Sequence, residues 1–358
     1  MASPTIPQFL QDPLLSGIVR TADIPKQYIM QNWFPLDPVE SDEFEGIVQL
    51  DESLLAPFVA LDAETPRMPD DLMSSYKWEV AYIRYKKAFK ESELRVFFEP
   101  GVNDPKTLTA ANANAAERKI RRYIDALSQS IDARLEWIAA AAIGGSVAYD
   151  DTHVQFSVTY PGAYIGSKRK TPTTLWNGAS PTIMTDLSNW VEEISDETGN
   201  DQWILVAPQR VLGVMSRNAD VREAWASAAM NPAATAPDAL PPIGTLNQQF
   251  LTGAVSFAGI SGVVRYNAKY TTRTEAYGSA TRVKSDFITN SDIFLLPAAQ
   301  PLGRMATAPA KPNNYQQGKF GWTAEREDPW VVEVGAGIYA WIDWPATRLN
   351  WVLQARVL

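Results

Sequence analysis

The chain has 358 residues, 46% of them hydrophobic and 20% charged, with one histidine and no cysteine. The ligand atoms for thiol catalysis, disulfide frameworks, iron–sulfur clusters and zinc sites built on cysteine or paired histidines are therefore absent. A net charge of −9 argues against a chain whose main task is gripping a polyanion and favours another protein as partner.

Residues 1–60 hold nine acidic residues against Arg20 and Lys26, a local charge of −7. Seven prolines there exclude long regular elements. Leu15, Ile18, Ile29, Met30, Trp33, Phe34 and Ile47 nevertheless give the stretch more apolar anchors than a solvated tail carries. The expectation is an extended arm that lies along a surface and buries those side chains. No signal peptide is expected, because Pro4, Pro7, Asp12 and Pro13 break the start. No run of about 18 apolar residues suggests a membrane span.

From Tyr76 to Phe98 the alternation of Trp78, Val80 and Tyr82 with charged residues, then Leu94 to Phe97 after a charged turn, predicts a two-stranded hairpin. Such a hairpin needs a neighbour to cover it. A helix is expected over about 108–144, with Ile120, Ile124, Leu127, Ile131, Leu135, Ile138 and Ala142 on one stripe. Arg118, Arg121, Arg122, Asp132 and Glu136 fall elsewhere on the wheel, and Gly144-Gly145 ends the helix. At 1.5 Å per residue it would run roughly 45 Å.

Beyond it, strands are expected at Val154–Val158 and Trp203–Ala207, and helices at Pro181–Glu197 after Ser180, near Pro208–Met215 and near Val221–Ala228. Residues 230–245, with four prolines, read as a loop. Further strands are expected at Val263–Tyr266, Ile293–Leu296, Trp330–Val334, Ile338–Ile342 and Leu349–Val357. The fold class is α+β with one dominant helix.

Short motifs carry little chemistry. Gly162 and Gly166, followed by Lys168, lack phosphate-loop spacing, so Lys168-Arg169-Lys170 reads as a solvated loop or a subunit contact. Gly335 and Gly337 leave no room for a dinucleotide crossover and read as a strand glycine pair. His153 beside Asp150-Asp151 lacks a nucleophile elbow and enough named oxygen ligands for calcium. No catalytic residue, metal or cofactor is expected. Between Lys77 and Arg122 eleven basic residues face six acidic ones, a local charge of +5 that complements the −7 of residues 1–60.

The element order resembles the major capsid proteins of tailed bacteriophages, of the lambda-like capsid protein E kind with the HK-ninety-seven-like fold. The residues that carry the likeness are Phe97 to Gly101, Arg134-Leu135-Glu136, Ala139 to Gly145, Val154 with Phe156, Trp176, Pro181 to Asp186 and Ile204 to Pro208. The resemblance implies an N-terminal arm (1–60), an extended loop formed by the hairpin (61–104), and a peripheral domain with the spine helix (105–163). It further implies an axial domain (164–300) and C-terminal strands that return to the peripheral domain (301–358).

On that reading the chain self-assembles through pentamers and hexamers into an icosahedral head around double-stranded DNA. The other partners would be a separate scaffolding protein, a portal protein and, in some heads, a decoration protein; assembly would occur in the host cytoplasm and the product would be a virion. Leu15, Ile29, Trp33 and Phe34 would hold adjacent subunits. Asp42, Glu43 and Glu45 would meet Arg84, Lys86, Lys87 and Lys90, or Arg118, Arg121 and Arg122. Some relatives cross-link lysine to asparagine, for which Lys86, Lys87, Lys90 and Asn350 offer the groups. The alternatives are an encapsulin-like nanocompartment shell, and a cysteine-free α+β hydrolase or ligand-binding protein.

Overall fold

A computed structural model describes residues 12–49, 73–90, 110–150, 155–159, 169–228, 248–276, 279–327 and 330–358. The chain opens with helix α1 (Asp12–Thr21), a 3-10 turn at Met30–Trp33, and strands β1 (Leu36–Pro38), β2 (Glu43–Gln49), β3 (Met73–Glu79) and β4 (Ala81–Lys90). The long helix α2 (Ala110–Ile143) follows, then β5 (Ser146–Asp150), β6 (Gln155–Thr159), β7 (Arg169–Lys170), α3 (Ile183–Thr198) and β8 (Trp203–Ala207). Next come α4 (Gln209–Met215), α5 (Ala219–Ala228), α6 (Gln248–Val255), β9 (Ile260–Arg265), β10 (Lys269–Ala276), β11 (Ser279–Asp286) and β12 (Asp292–Pro297). The chain closes with β13 (Arg304–Thr307), β14 (Phe320–Glu327), β15 (Trp330–Asp343), a 3-10 helix at Ala346–Trp351 and β16 (Leu353–Arg356). The class is α+β, as the sequence predicts.

At 34 residues, α2 is roughly 51 Å long. Every member of its expected stripe from Ile124 to Ala142 is buried. Its end is closed by Gly145, whose φ of 95° suits glycine and whose N–H donates to the Ala142 carbonyl at 2.7 Å. The guanidinium of Arg169 donates to the Gly144 carbonyl beside it, so that basic residue caps a helix of its own chain.

Asp132 and Glu136 lie off the apolar stripe, as expected, and are nevertheless wholly buried. With Ser128 they form a second stripe at i, i+4 spacing, and the N-terminal segment covers it, so α2 is enclosed on two sides.

Two sheets divide the molecule. The first runs β1-β13-β15-β14, with β4 also paired to β15; the second runs β7-β16-β12-β8-β9. The second is a wall between two cores. Trp203, Leu205, Ile293 and Leu295 face a core built with α3, α4 and α6, while Val206, Phe294 and Leu296 face the core that holds α2 and the first sheet. Period-2 alternation with both faces buried explains why β8 and β12 are apolar at nearly every position.

Of the predicted hairpin, the stretch from Tyr76 is two strands with different partners, and the turn and second strand lie outside the described residues. β3 pairs antiparallel with β2, Phe44 opposite Trp78, while β4 pairs antiparallel with β15, Tyr82 opposite Tyr339. The apolar run from Tyr76 therefore serves two different partners and breaks at Val80, whose N–H donates to the Asp42 carbonyl at 3.0 Å. The expected strand at Leu94–Phe97, the loop at 230–245, Gly162 to Lys168 and His153 lie outside the described residues. In α3 the N-cap is Thr182 rather than Ser180, and it makes no side-chain capping bond. Helix α6 and strands β5, β10, β11, β13 and β14 carry no clear periodic signal in the sequence.

The two strands expected at 330–342 are one, with Gly335 and Gly337 inside it. Gly335 lies opposite Trp322 of β14, and a Cβ built on it would overlap the Trp322 ring. Glycine there gives the indole a seat flat on the sheet. Gly335→Val should dislodge that ring and cost about 1–3 kcal/mol, read as a lower urea midpoint with an unchanged slope; unaltered stability would refute the packing account.

Candidate functional site

The second stripe of α2 is where the chain concentrates buried polar chemistry. Ser128 Oγ donates to the Val19 carbonyl at 3.1 Å and so takes up an end carbonyl of α1. One turn on, the Asp132 main-chain carbonyl accepts from the Gln31 side-chain amide at 3.0 Å. After a further turn, Glu136 accepts from the N–H groups of Met30 at 3.0 Å and Gln31 at 3.2 Å. Ile29, at the N-cap of that short 3-10 turn, has no side-chain oxygen to offer. The Glu136 carboxylate supplies the missing acceptor from another element.

A third donor reaches Glu136 from the far side: Tyr266, just after β9, gives its hydroxyl proton at 2.7 Å. One carboxylate thus joins the N-terminal segment, α2 and the strand that leads out of the second sheet. Burial pushes the Glu136 carboxyl above its usual range, opposed by these hydrogen bonds. Burial also raises the phenols of Tyr266 and Tyr28, and the negative charge of Glu136 adds to both shifts.

Asp132 is held differently. Its side chain forms an ion pair with Lys319, itself buried. Burial raises the Asp132 carboxyl and Lys319 lowers it, with burial the larger effect. Lys319 directly precedes β14, so this pair ties α2 to the first sheet.

Downstream, the N-terminal segment is stitched to residues near the other end of the chain. Trp33 donates its indole N–H to the Pro297 carbonyl at 2.9 Å, and β1 pairs parallel with β13, Leu36 opposite Met305. Arg304 donates to Asp37 and to Asp343, each at 2.7 Å, and the Asp343 hydrogen bond leads the upward shift of its guanidinium.

These contacts settle where the expected interface residues sit. Leu15 and Phe34 are buried, Trp33 is 8% exposed and Ile29 packs against the same core. Leu15, Trp33 and Phe34 are enclosed by their own chain and Ile29 is half-buried, so the segment is docked on its own subunit. Asp42 and Glu43 are exposed; Asp42 accepts from the Tyr82 hydroxyl at 3.3 Å and Glu43 lies opposite Glu79 in the β2–β3 ribbon. Glu45 lies in the same ribbon opposite Lys77.

On β4, Lys86 forms an ion pair with Glu333 at 2.8 Å, Arg84 lies 4.7 Å over the Tyr339 ring, and Lys87 reaches the Tyr123 ring. Lys90 ends that strand. Arg118 lies on α2, where Arg121 and Arg122 are exposed. Asn350 donates to Glu197 at 3.4 Å on another element. Within one chain, Asp42 meets Tyr82 and Lys86 meets Glu333, so these two members of the acidic and basic sets are engaged by other groups.

Sequence reasoning missed Glu136 and Tyr266 as partners. The available signal was two carboxylates four residues apart in a helix whose apolar stripe already filled one face. No group of three or more metal-ligating side chains occurs among the described residues, and none of their helices is long and apolar enough to cross a membrane.

The sequence matches the family model of the phage major capsid protein E over residues 15–334. The fold is similar to the crystal structure of a phage-related protein from Bordetella bronchiseptica, at 12% identity and a TM-score of 0.52, with 97% of each chain covered. It is also similar to that of a protein assigned as a prophage capsid protein of E. coli, at 12% identity and a TM-score of 0.57, with 98% of this chain and 99% of that one covered. At this identity each likeness is one of fold. No curated protein matches the sequence.

The Asp132–Lys319 pair gives a pH-dependent test. An acid whose folded pKa is raised contributes stability that is full below its unfolded value, about 3.9, and is lost as pH rises through the folded value. Lys319→Met removes the group that lowers the Asp132 pKa and leaves a buried carboxylate unpaired. The variant should lie near wild type at about pH 4 and be about 3–5 kcal/mol less stable at pH 7. Urea unfolding at both pH values and one ionic strength measures this; an equal deficit at both would refute the charge account.

Proposed function

This chain belongs to the phage major capsid protein E family, and we propose that its capsid is an icosahedral head, built by self-assembly through pentamers and hexamers around double-stranded DNA. Capsid formation and a place in the virion follow from the family itself. The observation that carries the reading is the family match across residues 15–334, which takes in all of α2 and strands of both sheets.

Two structural features support the finer statement. The β2–β3 ribbon pairs with no third strand among the described residues, and a two-stranded ribbon gains stability when a neighbour covers it. A second copy supplies such a neighbour. The exposed carboxylates Asp42 and Glu43 and the exposed guanidinium groups of Arg84, Arg121 and Arg122 are spread over different elements. That separation suits contacts between copies, in which opposite charges steer and register subunits. Leu15, Ile29, Trp33 and Phe34 act one step back, by fixing the acidic segment on its own subunit.

The chain acts by contact, with no catalytic step and no cofactor. A separate scaffolding protein directs curvature, a portal protein occupies one vertex, and a decoration protein binds where the head carries one. The inner surface meets DNA without reading its sequence, and assembly takes place in the host cytoplasm.

Electron microscopy of the purified chain, co-expressed with its scaffolding protein, should show closed shells; a persistent monomer in every preparation would overturn the reading. Particles that enclose an enzyme in place of DNA would instead assign a nanocompartment. Reversing Asp42, Glu43 and Glu45 to lysine should lower shell yield severalfold while monomer stability stays within about 0.5 kcal/mol. Parallel loss of both would refute the steering role.

A further inference from the structure

The connection from β13 to β14 carries Tyr315, which is 69% exposed, the largest value for a large apolar side chain among the described residues. Asn314 and Tyr315 have φ of 52° and 59°, and they are the non-glycine residues with positive φ in the described structure. The Asn313 carbonyl accepts from the Gln316 N–H at 3.0 Å, which closes a tight turn with two left-handed central residues. Such a turn favours asparagine followed by glycine, because a Cβ is disfavoured in that conformation. Here tyrosine follows asparagine. An exposed ring on a backbone that disfavours it does little for the folding of its own chain, and a local conflict of this kind points to use elsewhere.

The turn is also held firmly. Asn313 is buried, its amide donates to the Gln316 carbonyl at 2.7 Å, and its oxygen accepts from Arg20 of α1 at 3.2 Å. Arg20 donates as well to the Lys319 carbonyl at 3.0 Å. The Ala310 carbonyl accepts from the Tyr315 N–H at 3.0 Å. The ring therefore projects from a base fixed by a buried side chain and a separate helix, and little order is lost when a partner closes over it.

We propose that Tyr315 is an assembly contact, a rigid aromatic knob that enters an apolar recess on a second copy of this chain. The proposal rests on the capsid reading above. Tyrosine is enriched at the centres of protein interfaces, where its ring fills a pocket and its hydroxyl finds a partner. Residues 308–319 contain Lys311 and Lys319 and no carboxylate. Lys319 is engaged by Asp132 and the exposed Arg20 by Asn313 and the Lys319 carbonyl, so Lys311 is the exposed cation of this connection. A copy of a chain with net charge −9 offers the opposite sign, whereas nucleic acid is gripped by clusters of cations.

Tyr315→Gly removes the ring and relieves the backbone, and so separates the two roles. In the co-expression that gives wild-type shells, the full-length variant should show an unfolding midpoint equal to or above wild type. Its shell yield should fall about tenfold or more, and Tyr315→Phe should restore most of it. The proposal is overturned if Tyr315→Gly assembles at wild-type yield, or if its midpoint falls together with its yield. Normal shells that package less DNA would overturn it too, by assigning the ring to nucleic acid. If the wild-type chain formed no shells, the capsid reading itself would fail and this inference with it.

Discussion

Glu136 is a carboxylate with no exposure, set in the middle of the longest helix, and the placement of the N-terminal segment depends on it. Taking the charge out of water costs several kcal/mol. Three donors offset that cost, two from a 3-10 turn that lacks its own cap and one from Tyr266, each a charge-assisted bond of about 1.5–3 kcal/mol. The two sums are similar, so the net gain is small. The constraint is large all the same, because a segment shifted by one residue would leave the carboxylate bare. Asp132 and Ser128 repeat the arrangement one and two turns earlier, toward Lys319 and α1.

The second constraint is the sheet shared by two cores. With β8 and β12 sending alternate side chains to opposite sides, the unit built on α3, α4 and α6 cannot separate from the α2 unit without exposing both faces of the same strands. Tyr266 lies just past β9, in that sheet's edge, and its bond to Glu136 adds a polar tie between the units. The result is a subunit whose internal geometry is set by burial and by a few enclosed charges, while Asp42, Glu43, Arg84, Arg121 and Arg122 remain exposed. For a capsid-forming chain this division is useful, because rigid packing carries the shape of the subunit.

Much of this was legible in the sequence. The α2 helix was predicted at 108–144 and spans Ala110–Ile143, and Trp203–Ala207 is a strand at the bounds expected. Both carry a long or dense apolar period, which is decided locally. Period-2 alternation after Tyr76 reports strand and says nothing of its partners; these residues pair with β2 and then with β15, about 250 positions away. Gly335 and Gly337 read as a strand glycine pair, and only the neighbouring strand shows why: their lack of a side chain accommodates its Phe320 and Trp322 rings. The knob at Tyr315 was invisible for a related reason: an exposed tyrosine in a polar stretch has no period, and its left-handed backbone is set by the Asn313 and Arg20 contacts.

Composition alone determined that no thiol, disulfide or cysteine–histidine metal chemistry is available, and the order of elements determined the family to which the chain was likened. Charge counting located an acidic N-terminal stretch and a basic stretch after it. Tertiary structure decided what those stretches meet. A helical wheel places Asp132 and Glu136 off the apolar stripe and cannot show what covers them, because a second covering layer drawn from residues 15–34 is a long-range event. Hydrogen-bond partners at separations of 106 and 130 residues leave no trace in a local period, since the free energy that selects them appears only when the cores close.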